Sequence, residues 1–313
     1  MIILITGCAG FIGSNLTKAL LKRGDRIIGL DNFDDYYPRS VKEKNISNFV
    51  NDINFTLIEG DIRDKNVVYE ALINNDVEAI IHLAARAGVR PSIENPLLYT
   101  DVNINGTTLL LEAASKLGIK KFIFASSSSV YGNNKSVPFK ESDNVDFPIS
   151  PYAATKKAGE LICYTFHKLY NLNISCLRFF TVYGPGQRPE MAISKFVESI
   201  IADKEISVFA NGNSLRDYTF IEDIVSGIIL SLDNLNGYNI FNLGGASPIK
   251  LLDLIDIIER CLLKKALIKL EPAQPGDVDQ TFADCSLANS NLNYIPKTSI
   301  EQGISIFINS KGI

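Results

Sequence analysis

The chain has 313 residues, a net charge of −4, 46% apolar residues and 21% charged residues, the balance of a globular protein with core enough for one large α/β unit or two modest domains. The charge is spread without a basic stripe, which argues against nucleic acid. No apolar run approaches the roughly 18 residues of a membrane span, and five scattered cysteines with only two histidines offer no metal pattern and suit a reducing, cytoplasmic setting.

Short β-branched runs alternate with helix-spaced apolar residues through the first 180 positions. Buried strands are predicted at 2–6, 26–30, 54–58, 78–84, 121–126 and 174–180. Helices are expected between them at 14–23, 64–74, 97–117 and 151–170. This alternation implies βαβ crossovers and a doubly wound parallel sheet covered on both faces, an α/β fold. Beyond 180 the pattern weakens to a helix at 191–202, strands at 206–209 and 216–221 with a helix after them, a strand at 238–245 and a helix at 251–263. The expected division is a nucleotide-binding domain over 1–180, with segments near 215–245 returning to it, and a smaller C-terminal α/β lobe over 181–313.

The stretch LITGCAGFIGSNL sets Gly7, Gly10 and Gly13 between the first strand and the first helix. Such a turn lets backbone approach a pyrophosphate at a helix N-terminus, though the G-x-x-G-x-x-G spacing departs from the general dinucleotide fingerprint, and a plain tight turn is the alternative. The second strand runs into Asp31, 18 residues past Gly13, close to the roughly 20 expected of an acid on a ribose. A carboxylate there accepts ribose hydroxyls and repels a 2′-phosphate, favouring NAD over NADP. Asp61, in EGDIRD, stands where an adenine amine could meet it, or in an ordinary strand-end turn with Asp64 as helix cap. HLAARAG is small enough for backbone to lie against a flat cofactor, with His82 itself read as a packed strand residue. The candidate cofactor set is Gly7, Gly10, Phe11, Ile12, Gly13, Asp31, Asn32, Asp61, Ile62, Leu83, Ala84, Ala85, Tyr152 and Lys156.

In SPYAATKKAGEL, Tyr152 and Lys156 lie four apart on one helix face. The preceding strand ends in FASSSSVYG and delivers Ser127 toward the sheet edge where open α/β sheets bind ligands. A tyrosine is a poor base at its usual pKa near 10. A lysine cation and a positive nicotinamide ring nearby are expected to lower it, giving a general base for a sugar hydroxyl.

TGCAGFIG, the strand-end Asp31, the serine strand and Tyr-x-x-x-Lys together resemble an extended short-chain dehydrogenase/reductase of the nucleotide-sugar epimerase group. The resemblance spans nearly the whole chain. It implies a Rossmann sheet, bound NAD, a C-terminal lobe for a UDP-sugar, a homodimer through the helices at 97–117 and 151–170, and a catalytic triad at Ser127, Tyr152 and Lys156. Related dehydratases carry an Asp-Glu pair, and related uronate decarboxylases a glutamate, just before the Val-Tyr-Gly. Here Ser128 and Ser129 precede Val130, so oxidation at carbon 4 with hydride return, a 4-epimerisation, is what the resemblance leaves.

RFFTVYGPGQRPEMA, with DNFDDYYPRSVKEKNI and AGVRPSIENP, is similar to UDP-glucuronate 4-epimerases. That likeness makes Arg188 a candidate partner of the sugar carboxylate, with a phosphate-binding or purely structural arginine as the alternative. It also nominates Thr181 and Arg90 on the sugar side with Ser127, Arg216 at the diphosphate, and Asp277, with Gln274 beside it, at the uridine ribose. Thr281 falls where related epimerases gate the sugar pocket by size. Three readings stay open: a UDP-glucuronate epimerase, a UDP-glucose or UDP-N-acetylglucosamine epimerase, and a non-catalytic NAD-binding regulator.

Overall fold

Every residue of the first strand is aliphatic or Thr, and its neighbours repeat the pattern, so the strands bury both faces. In the computed structural model, which describes residues 1–272, 278 and 280–312, seven such strands form one parallel sheet. These are β1 (Ile2–Thr6), β2 (Arg26–Asp31), β3 (Phe55–Glu59), β4 (Ala79–His82), β5 (Lys121–Ser127), β6 (Asn173–Phe179) and, after three strands that leave the sheet, β10 (Tyr238–Leu243). Their spatial order is β10-β6-β5-β4-β1-β2-β3, all pairs parallel. The order reverses direction between β1 and β4, which opens a crevice at their carboxyl ends.

Side chains divide by the strand period of two. Ile3, Ile5, Ile27, Ile81, Ile123 and Leu177 enter one core, while Leu4, Ile28, Ile80, Phe122, Phe124 and Ile174 enter the other. The first core continues without a break into the C-terminal lobe through Phe180, Tyr183, Phe220 and Phe241.

The lobe is built on a three-stranded sheet, ordered β11-β9-β7, of β7 (Thr181–Tyr183), β9 (Leu215–Phe220) and β11 (Pro248–Lys250). A separate pair joins β8 (Glu205–Phe209) to β12 (Leu267–Glu271). Helix Leu251–Leu262 packs on helices Ala192–Ile201 and Ile300–Ser310. Asp217 of β9 is fully buried and accepts from Gly245 N, Ala246 N and Ala283 N, which staples the lobe's loops to its sheet.

Three features depart from the expected elements. The sixth strand stops at Phe179, and the chain re-pairs from Thr181 in the lobe sheet. The helix expected at 97–117 runs as Pro96–Thr100, a π turn over Asp101–Gly106, and Thr107–Leu117. A Cβ on Gly106 would lie 2.6 Å from Ile62, so the wide turn packs tightly against the loop after β3, and Asn103 within it is buried at 2% exposure. Helix Arg39–Ile46 had no apolar period to show it, since only Lys42 and Ile46 are buried.

Candidate active site

The glycine turn is forced by space. Gly7 has φ +72°, and a Cβ there would stand 2.9 Å from Ala84 N; one on Gly13 would stand 2.1 Å from Gly7 O. Helix Phe11–Arg23 starts from Gly10 with no side-chain cap and no acid in its first turn, leaving donors and dipole open for an anion. Asp31, at the end of β2, is held by Ala9 N at 3.0 Å and Phe33 N at 2.9 Å, with Lys42 Nζ 3.8 Å away. An uncapped 13-residue helix beside a fixed carboxylate fits a dinucleotide's pyrophosphate and ribose.

Asp61 accepts from Asn32 Nδ2 at 3.0 Å and from Arg63, whose guanidinium brings its carboxyl down to about 2. Asp64 caps the following helix, as the strand-end reading of EGDIRD expects. A cleft of about 420 Å³ is lined by all the candidate cofactor residues, Gly7 to Lys156, as well as Ser127, Thr181 and Arg188.

Helix Pro151–Tyr170 begins with Ser150 as cap, its hydroxyl accepting from Ala153 N, and Pro151 in the first turn. Tyr152 is therefore in the first turn, and Lys156 one turn on. Lys156 Nζ donates to Ala125 O at 2.8 Å and sits 5.9 Å from the Tyr152 ring centroid. Burial lowers the ammonium to about 8. Ser127 Oγ donates to Ser129 Oγ at 3.2 Å and accepts from Ser129 N. The expected lowering of Tyr152 involves the nicotinamide ring as well as Lys156, and the protein alone shows the opposite direction. Burial raises the phenol, and the Ser127 hydroxyl and Arg188 charge oppose it. The phenol is half-buried in the wall of the cleft.

His82 is a packed strand residue with defined roles for both nitrogens. Thr107 Oγ1 donates to Asn103 O at 2.6 Å, so it must accept from His82 Nε2 at 2.9 Å. Nδ1 is then bare and accepts from Thr6 Oγ1 at 2.7 Å, which itself accepts from Ala84 N. Burial, then the Lys156 charge, brings the imidazole to about 3. Asn103 Nδ2 extends the line by donating to Thr155 Oγ1 and Arg86 O, and Thr155 Oγ1 donates to Tyr152 O.

Arg90 lies over the Phe209 ring at 4.9 Å, and Arg216 Nη1 donates to Leu215 O; neither lines the cleft. Thr281 Oγ1 accepts from Asp217 N, and it too is away from the cleft lining. Asp277 and Gln274 lie outside the described residues. The cleft also contains residues that spacing did not single out: Asp34, Tyr36, Tyr37, Lys42, Arg86 and Met191. They fall within the stretches DNFDDYYPRSVKEKNI, HLAARAG and RFFTVYGPGQRPEMA, but no periodicity or spacing marks them individually.

The family model described as GDP-mannose 4,6 dehydratase matches residues 4–307. The UDP-glucuronate 4-epimerase of Thermodesulfobacterium geofontis is 45% identical over 307 residues, 98% of this chain and 94% of that protein. The crystal structure of UDP-glucuronic acid 4-epimerase from Bacillus cereus, in complex with UDP-glucuronic acid and NAD, has a TM-score of 0.94 at 37% identity, over 99% of this chain and 98% of that one. The UDP-glucose 4-epimerase of Thermotoga maritima with UDP-glucose has a TM-score of 0.92 at 30% identity, over 100% and 99%. With a model that spans nearly its whole length and relatives at these identities, the chain belongs to the GDP-mannose 4,6 dehydratase family.

Proposed function

We propose that the protein is an NAD-dependent UDP-sugar 4-epimerase that interconverts UDP-glucuronate and UDP-galacturonate. The observation that carries this reading is one cleft in which Ser127, Tyr152 and Lys156 share space with Arg188, whose charge acts on Tyr152. NAD, when bound, supplies the acceptor and later the donor of the carbon 4 hydride. Tyr152 takes the proton of the 4-hydroxyl as the carbonyl forms, and returns it when the hydride comes back to the opposite face. Ser127 hydrogen-bonds the reacting oxygen, and Lys156 holds positive charge beside the phenol. Ser128 and Ser129 place hydroxyls where an eliminating enzyme would need carboxylates, so the family's dehydratase label does not extend to this cleft's chemistry.

A 4-keto uronate is a β-keto acid and loses carbon dioxide when its carboxylate bond aligns with the carbonyl π system. Arg188, with Thr181 and the serine loop, is proposed to hold the carboxylate out of that alignment, a task suited to arginine's planar fork. Arg90 on the sugar side, Arg216 at the diphosphate and Asp277 at the uridine ribose are assigned on the resemblance alone. A neutral UDP-hexose is the second reading, supported by the Thermotoga maritima relative.

We also propose a cytoplasmic homodimer. Five free cysteines, four of them buried, support a reducing compartment. Exposed Leu97, Leu161 and Tyr164 on the helices Pro96–Thr100 and Pro151–Tyr170 support a second copy as their cover.

The test is a proton NMR time course with UDP-glucuronate and no added cofactor. UDP-galacturonate is the expected product, and Tyr152→Phe is expected to lose at least about 10²-fold in kcat. Turnover of UDP-glucose alone would move the assignment to the neutral sugar.

A further inference from the structure

Arg188 is held by two neighbours from different parts of the chain. Its guanidinium carbon lies over the Tyr36 ring at 5.4 Å from the centroid. Its Nε faces Glu190 Oε1 at 3.1 Å. Both Glu190 oxygens are shut off from solvent and have no hydrogen-bond partner among the described residues, so Arg188's charge is what compensates that carboxylate. Moving Arg188 away would strand a desolvated charge. A turn closed by Met191 N on Arg188 O at 3.2 Å, with Pro189 inside it, fixes the spacing of Arg188 and Glu190. The loop is pinned from the nucleotide side as well, where Asn15 Nδ2 donates to Pro185 O at 3.0 Å.

Tyr36 carries a second cation. The Arg86 guanidinium lies over the same ring at 5.3 Å and is paired with Asp34. The ring is therefore clamped between cleft elements that sequence spacing keeps far apart.

We propose that Tyr36 and Glu190 are positioning residues for uronate specificity: the Tyr36 ring bears the face of Arg188 and Glu190 takes its Nε edge, leaving the Nη fork for the substrate carboxylate. This rests on the proposed reaction and adds to it the residues that aim the arginine. A stacked, edge-paired guanidinium has little rotational freedom, so it binds a carboxylate with less entropy loss and in one orientation. A sugar with a neutral hydroxymethyl group gains nothing from that aim.

The holoenzyme is tested as Tyr36→Leu and Glu190→Gln, with Tyr36→Phe and Glu190→Asp as conservative partners and Arg188→Ala as reference. Steady-state kinetics and NMR of products are read with bound NAD and Tm. Tyr36→Leu and Glu190→Gln are expected to raise KM for UDP-glucuronate about tenfold, the size of one weakened charged contact. They should also share with Arg188→Ala a UDP-pentose by-product. The conservative variants are expected to suppress that by-product and restore most of the KM, with NAD content and Tm held near wild type.

A Tyr152→Phe background offers a reading independent of turnover. There, Tyr36→Leu should weaken UDP-glucuronate but not UDP. An active wild type whose variants keep KM and product purity, or lose kcat, NAD and Tm together, overturns this inference alone. A wild type inert toward UDP-glucuronate overturns it together with the proposed reaction.

Discussion

At Lys156, two requirements pull against each other. The proposed reaction wants its charge beside Tyr152, yet its side chain is buried. Unfolded, the lysine holds its proton at the usual 10.5, more tightly than the folded residue at about 8. The cost of burying the charge is thus whole below pH 8 and fades as pH climbs through 8 toward 10.5. A gap of that size corresponds to about 3 kcal/mol. Lys156→Met is expected to melt above the wild type at pH 7, with the two Tm values converging by about pH 10. Calorimetry after nucleotide removal keeps ligand binding out of the comparison; a gap that does not change with pH would show that charge burial is not its source.

Between elements, helix Pro151–Tyr170 is tied to the sheet by an ion pair with both side chains 1% exposed. Arg178 of β6 donates through Nε and Nη2 to the two Glu160 oxygens, each at 2.8 Å, and Ser126 Oγ adds a bond of 2.6 Å. Ser126 precedes Ser127, so the pair sets where β5 ends relative to Tyr152. Glu160→Gln leaves a buried guanidinium uncompensated and is expected to cost about 3–5 kcal/mol, while the joint Glu160→Leu, Arg178→Met change should cost less than either single change. Urea titrations of the three variants measure this, and additive losses would exclude the coupling. The pair also marks what the sequence could convey. The β1–β6 runs, the glycine turn and the Tyr152–Lys156 helix were legible because each rests on a local period. The π turn at Asp101–Gly106, the polar helix Arg39–Ile46 and the departure of β7 from the main sheet were not, since close approach and tertiary pairing decide them. The same division runs through the cleft: Arg86 and Arg188, from separate loops, both lie over the Tyr36 ring, and no spacing encodes that meeting.

Across the whole molecule, both faces of the large sheet are filled, and one core runs into the lobe. Among the apolar side chains left exposed are Leu97, at 83%, on helix Pro96–Thr100 and Leu161, at 55%, on helix Pro151–Tyr170. If a second copy covers it, the wild type should run at about twice its 34.5 kDa mass in light scattering, and Leu161→Glu should shift it toward monomer, since a charge buried at an apolar interface is unpaired. A monomeric wild type at micromolar concentration would rule the dimer out. The line from Ala84 through Thr6, His82, Thr107 and Asn103 crosses the molecule from the glycine turn toward the same helix, and its donors from Ala84 to Asn103 all point one way. Such a line acts as an insulator. An imidazole that would have to reverse its neighbours to take up a proton stays silent at physiological pH, so in the proposed reaction the acid–base work would fall to the serine, the tyrosine and the lysine, although a histidine lies one strand away.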